Sequence, residues 1–376
     1  MRIEVLDSIS AIAAAEWNRL AGGDWPFLRH EFLHAAEATG CVSRRTGWVP
    51  RHLVARAARR GPAVAAMPLY EKSHSWGEFV FDWAWAQAYH RAGLEYYPKL
   101  VSTVPFTPAP SPRLLSGEPE AQEALLGAAL ELARAAGESS LHVLFPDERE
   151  LGLLRAAGLE LRKDCQFHWH NRGYASFDEF LGTFSSAKRK KARRDRRRVQ
   201  EQGIGFRWLS GDAIDRALWS DVFALISDTF LQRASLPYLD CEFFVELSAR
   251  LPASVLVVLA ERRRAAVAAA VFYVGSDALY GRYWGSDADY DALHFETCYY
   301  QGIEYCIAKG LKRFEPGTQG EHKISRGFTP VATWSAHWLA RPEFFSAVGR
   351  YLDEERRHVD RYMAAVERHS PYRSEP

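Results

Sequence analysis

The sequence is poor in cysteine and has no long hydrophobic run. Its five cysteines (Cys41, Cys165, Cys241, Cys298 and Cys306) are odd in number, scattered, and never spaced C-x-x-C. That excludes a disulfide framework or a cysteine-based zinc site as the organising feature, and a reducing compartment is expected. The longest apolar run, from Val255 to Ala260, falls far short of the roughly 20 residues a membrane helix needs. The opening MRIEVLDSIS lacks the basic-then-apolar layout of a signal peptide. A cytoplasmic protein without a membrane span is the expectation. No metal site is expected either, because His322 and the carboxylates near it have no diagnostic ligand spacing.

What is present is ordinary globular material. Hydrophobic residues make up 47% of the 376 and charged residues 25%, which argues against disorder, a collagen-like fibre or a coiled coil. Aromatics at 13% can furnish two sizeable cores, and the length predicts two domains. The net charge of +1 hides an asymmetry. Residues 188–198, KRKKARRDRRR, hold nine basic residues and one acidic, and the rest of the chain has 39 basic against 46 acidic, a net of −7. Such a strip is either a solvated face paired with acidic neighbours or a receptor for an anion such as RNA, a nucleotide or a phospholipid headgroup. Arg193, Arg194, Arg196 and Arg197 are its candidate anion-binding residues.

Apolar periodicity and turn signals predict alternating strands and helices. Strands are expected at 2–8, 52–58, 62–70, 77–83, 141–145 and 159–163. A second series follows at 166–171, 205–210, 254–262, 265–274, 278–285, 311–316 and 331–340. Helices are expected at 10–21, 29–39, 83–92, 119–136 and 147–157, then as one long helix over 176–202, in pieces over 212–250, and at 292–309 and 342–368. A short helical turn is expected at 320–327. The two halves share an order of elements, so the chain reads as one α/β unit used twice, with domains at 1–164 and 165–376.

Three clusters could carry chemistry. On a strand, alternate residues share a face, so Lys72, His74 and Trp76 are expected to point together, with Glu78 and Asp82 nearby. Lys72, His74 and Glu78 are candidate substrate-binding residues; the competing reading is a polar hairpin end. In LYGRYWG, Arg282 and Trp284 share one face and Tyr283 takes the other, and an arginine in a central strand must be paired or face a site. In the helix that follows, helical spacing puts His294, Cys298 and Gln301 on one stripe and Glu296, Tyr300 and Glu304 on another. The segment EPGTQGEHKISRGF adds Gln319, Glu321, His322, Lys323 and Arg326. Its competing reading is a turn satisfied by its own ion pairs. His294, Glu296, Glu321 and His322 are the candidate acid–base groups. Arg282, Tyr283, Trp284, Gln319, Lys323 and Arg326 are candidates for holding substrate.

Long strings in this chain bring it close to a known family. PLYEKSHSWGEFVFDWAWAQAY (68–89), PFTPAPSPRLL (105–115), QFHWHNRGYASFDEFL (166–181), LHFETCYYQGIEYCI (293–307) and EPGTQGEHKISRGFTPVATWSAHW (315–338) carry the likeness. The chain resembles the Fem-like predicted N-acyltransferases, the peptidoglycan biosynthesis/recognition proteins of the GNAT superfamily. The resemblance implies two tandem GNAT-like domains and acyl transfer to an amine acceptor, small or peptidic. The donor would be acyl-CoA or aminoacyl-tRNA. A non-catalytic protein of the same fold, recognising a cell-wall precursor or RNA, is the alternative. One departure stands out. GNAT enzymes cradle the pyrophosphate of coenzyme A on a glycine-rich loop, whereas the equivalent stretch here, GSDADYDALHF (285–295), carries Asp287, Asp289 and Asp291.

Overall fold

Local chemistry sets most element ends. Pro119 opens the helix Pro119–Ala136 and Gly137, at φ 71°, closes it in the left-handed region. Asp215 and Asp240 cap the helices Arg216–Leu231 and Cys241–Arg250 by accepting from Leu218 N (2.8 Å) and Phe243 N (2.9 Å). A computed structural model describes residues 1–58, 61–232, 234–318 and 320–373. Its strands are β1 (Arg2–Leu6), β2 (Trp48–Pro50), β3 (His52–Arg56), β4 (Ala63–Met67), β5 (Tyr70–Lys72), β6 (Lys99–Ser102) and β7 (Ser140–Leu144). They continue as β8 (Glu160–His170), β9 (Ile204–Ser210), β10 (Val255–Arg262), β11 (Ala265–Val274), β12 (Ala278–Ser286), β13 (Arg313–Glu315) and β14 (Thr329–Leu339).

The chain divides into two compact units. Unit 1 comprises Met1–Cys165 with Ala332–Arg361, and unit 2 comprises Gln166–Val331 with Tyr362–Pro376. The segment 332–361, expected in the second domain, therefore belongs with the first. The reason is pairing and burial. Strand β14 lies antiparallel on β7, matching Ser335 with Leu144 and Leu339 with Ser140. The helix Pro342–Glu367 sets Val348 and Leu352 against Trp85 and Tyr89.

In unit 1, β1, β3 and β4 form an antiparallel sheet. A second series runs β2, β5, β6 and β7, antiparallel except for the parallel pair β6/β7. The helix Pro119–Ala136 lays Leu125, Leu126, Ala129 and Ala133 on this core beside Leu53, Ala65, Leu141 and Val143. Each fully buried leucine of that set contributes about 1.5–3 kcal/mol.

In unit 2, β9, β10, β11 and β12 are antiparallel neighbours and β12 is parallel to β13. Strands β10 and β11 are buried over most of their length, which explains their near-continuous apolar sequences. The β12/β13 pairing lasts only from Ala278↔Arg313 to Tyr280↔Glu315. There β13 ends, while β12 runs on to Ser286 paired with β11 along its other edge.

Three expected elements differ. Residues 77–83 form no strand, because Glu78 and Asp82 turn inward to a buried lysine described below. The expected helix over 176–202 is two helices, Phe177–Gly182 and Ser186–Glu201, broken where the Thr183 hydroxyl donates to Phe180 O (2.7 Å) and Phe184 is buried. The strands expected at 159–163 and 166–171 are one strand, β8.

Gly285 fixes how closely the helix Arg216–Leu231 packs on β12. A Cβ there would lie 2.1 Å from the backbone carbonyl of Leu225. Gly285→Ala is expected to destabilise the protein by about 1–3 kcal/mol through overpacking, read as a lowered unfolding midpoint in denaturant.

Candidate functional site

Past the end of β13, a cavity of about 290 Å³ lies against β11 and β12 in unit 2. Strand β12 contributes Arg282, Tyr283 and Trp284 to its wall, and the helix Arg216–Leu231 contributes Thr229 and Phe230. The far side comes from the chain segment Leu293–Lys309. This segment begins as one α-turn, widens into a π-helical turn over Glu296–Tyr300 and continues as an α-helix. The widened turn adds a residue to the face and presents His294, Cys298 and Tyr299 to the cavity. No aspartate or glutamate is among the lining residues.

Behind that wall the short helical turn Glu321–Arg326 is tied down at several points. Arg326 stacks 3.4 Å over the Phe295 ring and donates to His322 O (2.7 Å). The Tyr299 hydroxyl and His322 Nε2 are 2.8 Å apart. Burial pushes the Tyr299 phenol well above its ordinary range, so it stays protonated and is the donor. Partial burial, with the charges of Arg326 and Lys323, holds His322 below the usual histidine range, so its ring is neutral at neutral pH. Gly320, at φ 111°, lets the ring approach, since a Cβ there would lie 2.2 Å from it. A buried phenol facing the cavity thus meets an exposed imidazole. That arrangement can move a proton between cavity and solvent.

Lys323 is buried and donates to Gly317 O (2.7 Å). Burial, reinforced by the charge of Arg282, brings its ammonium down to about 7. Arg282 Nη1 donates to Gly281 O (2.7 Å), while its Nε and Nη2 have no hydrogen-bond partner. Burial lowers its pKa in turn. The Glu315 carboxylate is in electrostatic reach but is engaged by Arg313 Nε at 2.8 Å.

The remaining expected residues are distributed otherwise. Glu296 is not at the cavity. It accepts from Arg196 Nε (3.1 Å) and Gln301 Nε2 (2.8 Å), and Arg196 also holds Glu304 at 2.7 Å. The stripe of Glu296, Tyr300 and Glu304 thus faces the basic helix, and Arg196 is an internal counter-ion rather than a free anion receptor. Arg193 and Arg197 carry only exposed pairs, with Asp178 (3.0 Å) and Glu201 (3.7 Å), and Arg194 is exposed. Glu321 accepts from the Tyr362 hydroxyl at the surface (2.9 Å). Gln319 lies outside the described residues. Among the described residues no group of three or more metal-ligating side chains is found, and none of the helices is long and apolar enough to cross a membrane. Sequence reasoning missed Tyr299, because a regular helix would not align it with His294 and Cys298; a π-turn leaves no period to read.

Lys72 and Glu78 belong to unit 1, Glu78 inside a buried polar network and Lys72 beside it. Lys99 Nζ donates to Ser75 (2.8 Å), Glu78 (2.8 Å) and Asp82 (2.5 Å). The Tyr96 hydroxyl bridges Asp82 and His142, and His142 Nδ1 meets His337 Nδ1 at 2.7 Å. Lys72, His74 and Trp76 do not share a face, because β5 ends at Lys72. His74 turns to Thr46 O (3.0 Å) and Trp76 is 59% exposed. Lys72 lies 3.6 Å over the Trp48 ring with Trp76 O as acceptor (3.2 Å), and burial lowers it to about 7.

The unfolded chain binds a proton at Lys72 up to the ordinary lysine value of 10.5, whereas the folded chain releases it at about 7. The unfolded state therefore holds more protons in that window, and this residue makes stability rise with pH from about 7 upward. Lys72→Met is expected to flatten that rise in urea melts run across the window.

A family model for FemAB-like proteins of peptidoglycan biosynthesis/recognition matches residues 8–374. Among solved structures, FemX aligns at TM-score 0.58 and 12% identity, over 93% of this chain and 100% of that one. The C-terminal domain of a putative lysylphosphatidylglycerol synthetase from Agrobacterium fabrum aligns at 0.56 and 11%, over 90% and 95%. L-PGS from Bacillus licheniformis aligns at 0.54 and 13%, over 90% and 96%. Identities this low establish the fold alone, a mixed α/β architecture shared with these three structures. No curated protein matches in sequence. With a family match from residue 8 to residue 374, this chain belongs to the FemAB-like family of peptidoglycan biosynthesis/recognition proteins.

Proposed function

We propose that the protein is an N-acyltransferase that moves an acyl or aminoacyl group from an activated donor to an amine of a peptidoglycan precursor. The observation that carries this reading is the cavity beside β12, with Tyr299 in its wall and His322 hydrogen-bonded to Tyr299 behind it. Family membership supports the acceptor class. The donor's carbonyl lies in the cavity and the amine nitrogen attacks it. The nitrogen then loses a proton to the Tyr299 oxygen as the phenolic proton passes to His322 Nε2. Collapse of the tetrahedral intermediate expels the donor's oxygen or sulfur. The Asp287–Asp291 loop is exposed, with Asp291 held by Arg198 at 2.8 Å, and its carboxylates disfavour the pyrophosphate of coenzyme A. A donor carried on RNA suits the exposed cations of the helix Ser186–Glu201.

Transfer of labelled acyl groups to precursor peptides tests the reading. Tyr299→Phe and His322→Asn are each expected to lower kcat by about 10²–10⁴. Because His322 is held below the ordinary histidine range, wild-type activity should be level at neutral pH and fall in acid as the ring protonates. His322→Asn should remove that limb. No transfer from either acyl-CoA or aminoacyl-tRNA would refute the proposal.

The exposed cations make a separate prediction. If they contact a single-stranded RNA end, log K falls with log salt at a slope of roughly −0.7 per phosphate neutralised. Changing Lys190, Lys191, Arg193 and Arg194 to Gln should flatten that slope in a tRNA titration. Arg196→Gln should instead lower stability, since it strips buried Glu296 of its counter-ion.

A further inference from the structure

The cavity in unit 2 has an electrostatic imbalance that its fold does not explain. Arg282 is part of the wall, its Nε and Nη2 unpartnered, and no ion pair compensates it among the described residues. Lys323 is buried within reach of both Arg282 and the cavity-lining Cys298, and its ammonium is met by one backbone carbonyl and no carboxylate. Arg313 adds a third cation; facing the group are Asp277 and Glu315, whose Oε1 accepts from Arg313 while its Oε2 has no hydrogen-bond partner. His168 stands 3.9 Å from Glu315, and burial among these cations keeps it neutral. On the outer side Arg326 has Asp195 at 3.8 Å, and His322 is neutral. An uncompensated buried cation is costly, and one beside a cavity is a candidate ligand site.

We propose that this wall is the receptor for an oxyanion on the bound substrate, a carboxylate of the acyl group or a phosphate of its carrier, and that it rejects a substrate presenting an ammonium there. The cavity walls agree with a substrate whose body is otherwise apolar. Phe230, Phe272, Tyr283, Trp284 and Tyr299 surround the space, and none of the described lining residues is a carboxylate that could receive a cation. A guanidinium with two donors to spare suits a planar or tetrahedral oxyanion better than an ammonium would. This inference rests on reading the cavity as the donor site of the proposed transferase.

The experiment is calorimetric binding to the full-length protein with three probes of one shape and different charge: phenylacetate, phenyl phosphate and phenethylammonium. The anions are expected to bind and the ammonium not to. A preference for phenylacetate assigns the charge to the acyl group, and a preference for phenyl phosphate assigns it to the carrier; either supports the receptor. Arg282→Gln should weaken the preferred anion about 100-fold, and Arg282→Lys about 10-fold, because the lysine keeps the charge and loses the fork. If Arg282→Gln fails to fold by circular dichroism, Arg282→Lys and Lys323→Met carry the test, and both should lose affinity. Phenethylammonium binding as tightly as either anion would overturn the proposal. So would absence of anion binding at millimolar concentration, or affinities untouched by substitution at Arg282. Binding is read without turnover, so loss of the transferase reading leaves these results standing, and loss of the anion preference leaves the transferase standing.

Discussion

Strand β13 pairs with β12 over three residues and ends at Glu315, and the cavity of unit 2 lies against the part of β12 past that end. Arg282, on the part of β12 past that end, is in the wall of the cavity. The space is kept open by backbone rather than by side chains. Gly285 lets the helix Arg216–Leu231 pack directly on the strand, and the π-turn at Glu296–Tyr300 widens the opposite side. Gly281 faces Pro316 just past the end of β13, where a Cβ would lie 3.3 Å from the proline Cα.

Each unit buries a lysine that meets one backbone carbonyl and no carboxylate, Lys72 in unit 1 and Lys323 in unit 2, but the surroundings differ. Each contains a parallel strand pair, β6/β7 in unit 1 and β12/β13 in unit 2. In unit 1 the lysine on that pair, Lys99, is met by two carboxylates, a serine and a chain of hydrogen bonds through Tyr96 to two histidines. Glu78 and Asp82 each keep one buried oxygen without a hydrogen-bond partner, so this network is densely bonded but not complete. In unit 2 Arg282 keeps two donors to spare, and none of the described residues lining the cavity is a carboxylate.

The basic helix shows how one sequence feature can do two jobs. Its strip of nine cations reads as a single object in the sequence. In the fold its later part is a structural clamp, with Arg196 on Glu296 and Glu304 and Arg198 on Asp291. Its earlier part, Lys190 to Arg194, faces solvent around the buried Ala192. Helical periodicity alone predicts that some cations point inward. It does not say which carboxylates, a hundred residues away, will meet them.

The sequence by itself determined the alternation of strands and helices, most of their ends, and the membership signalled by its long shared strings, because caps, glycines and apolar periods act over a few residues. It also pointed to Arg282, His294, His322 and Lys323, since polar residues inside apolar strands or glycine-rich turns demand a partner. Only the tertiary structure decided which of these share a cavity. It returned residues 332–361 to unit 1 by pairing β14 with β7. It removed Glu296 from the site by giving it to Arg196, brought Tyr299 in through a π-turn, and turned 77–82 from an expected strand into a loop closed over Lys99. Each of these depends on a partner far away in the chain, and the energy of a buried charge is set by that partner, not by its neighbours in sequence.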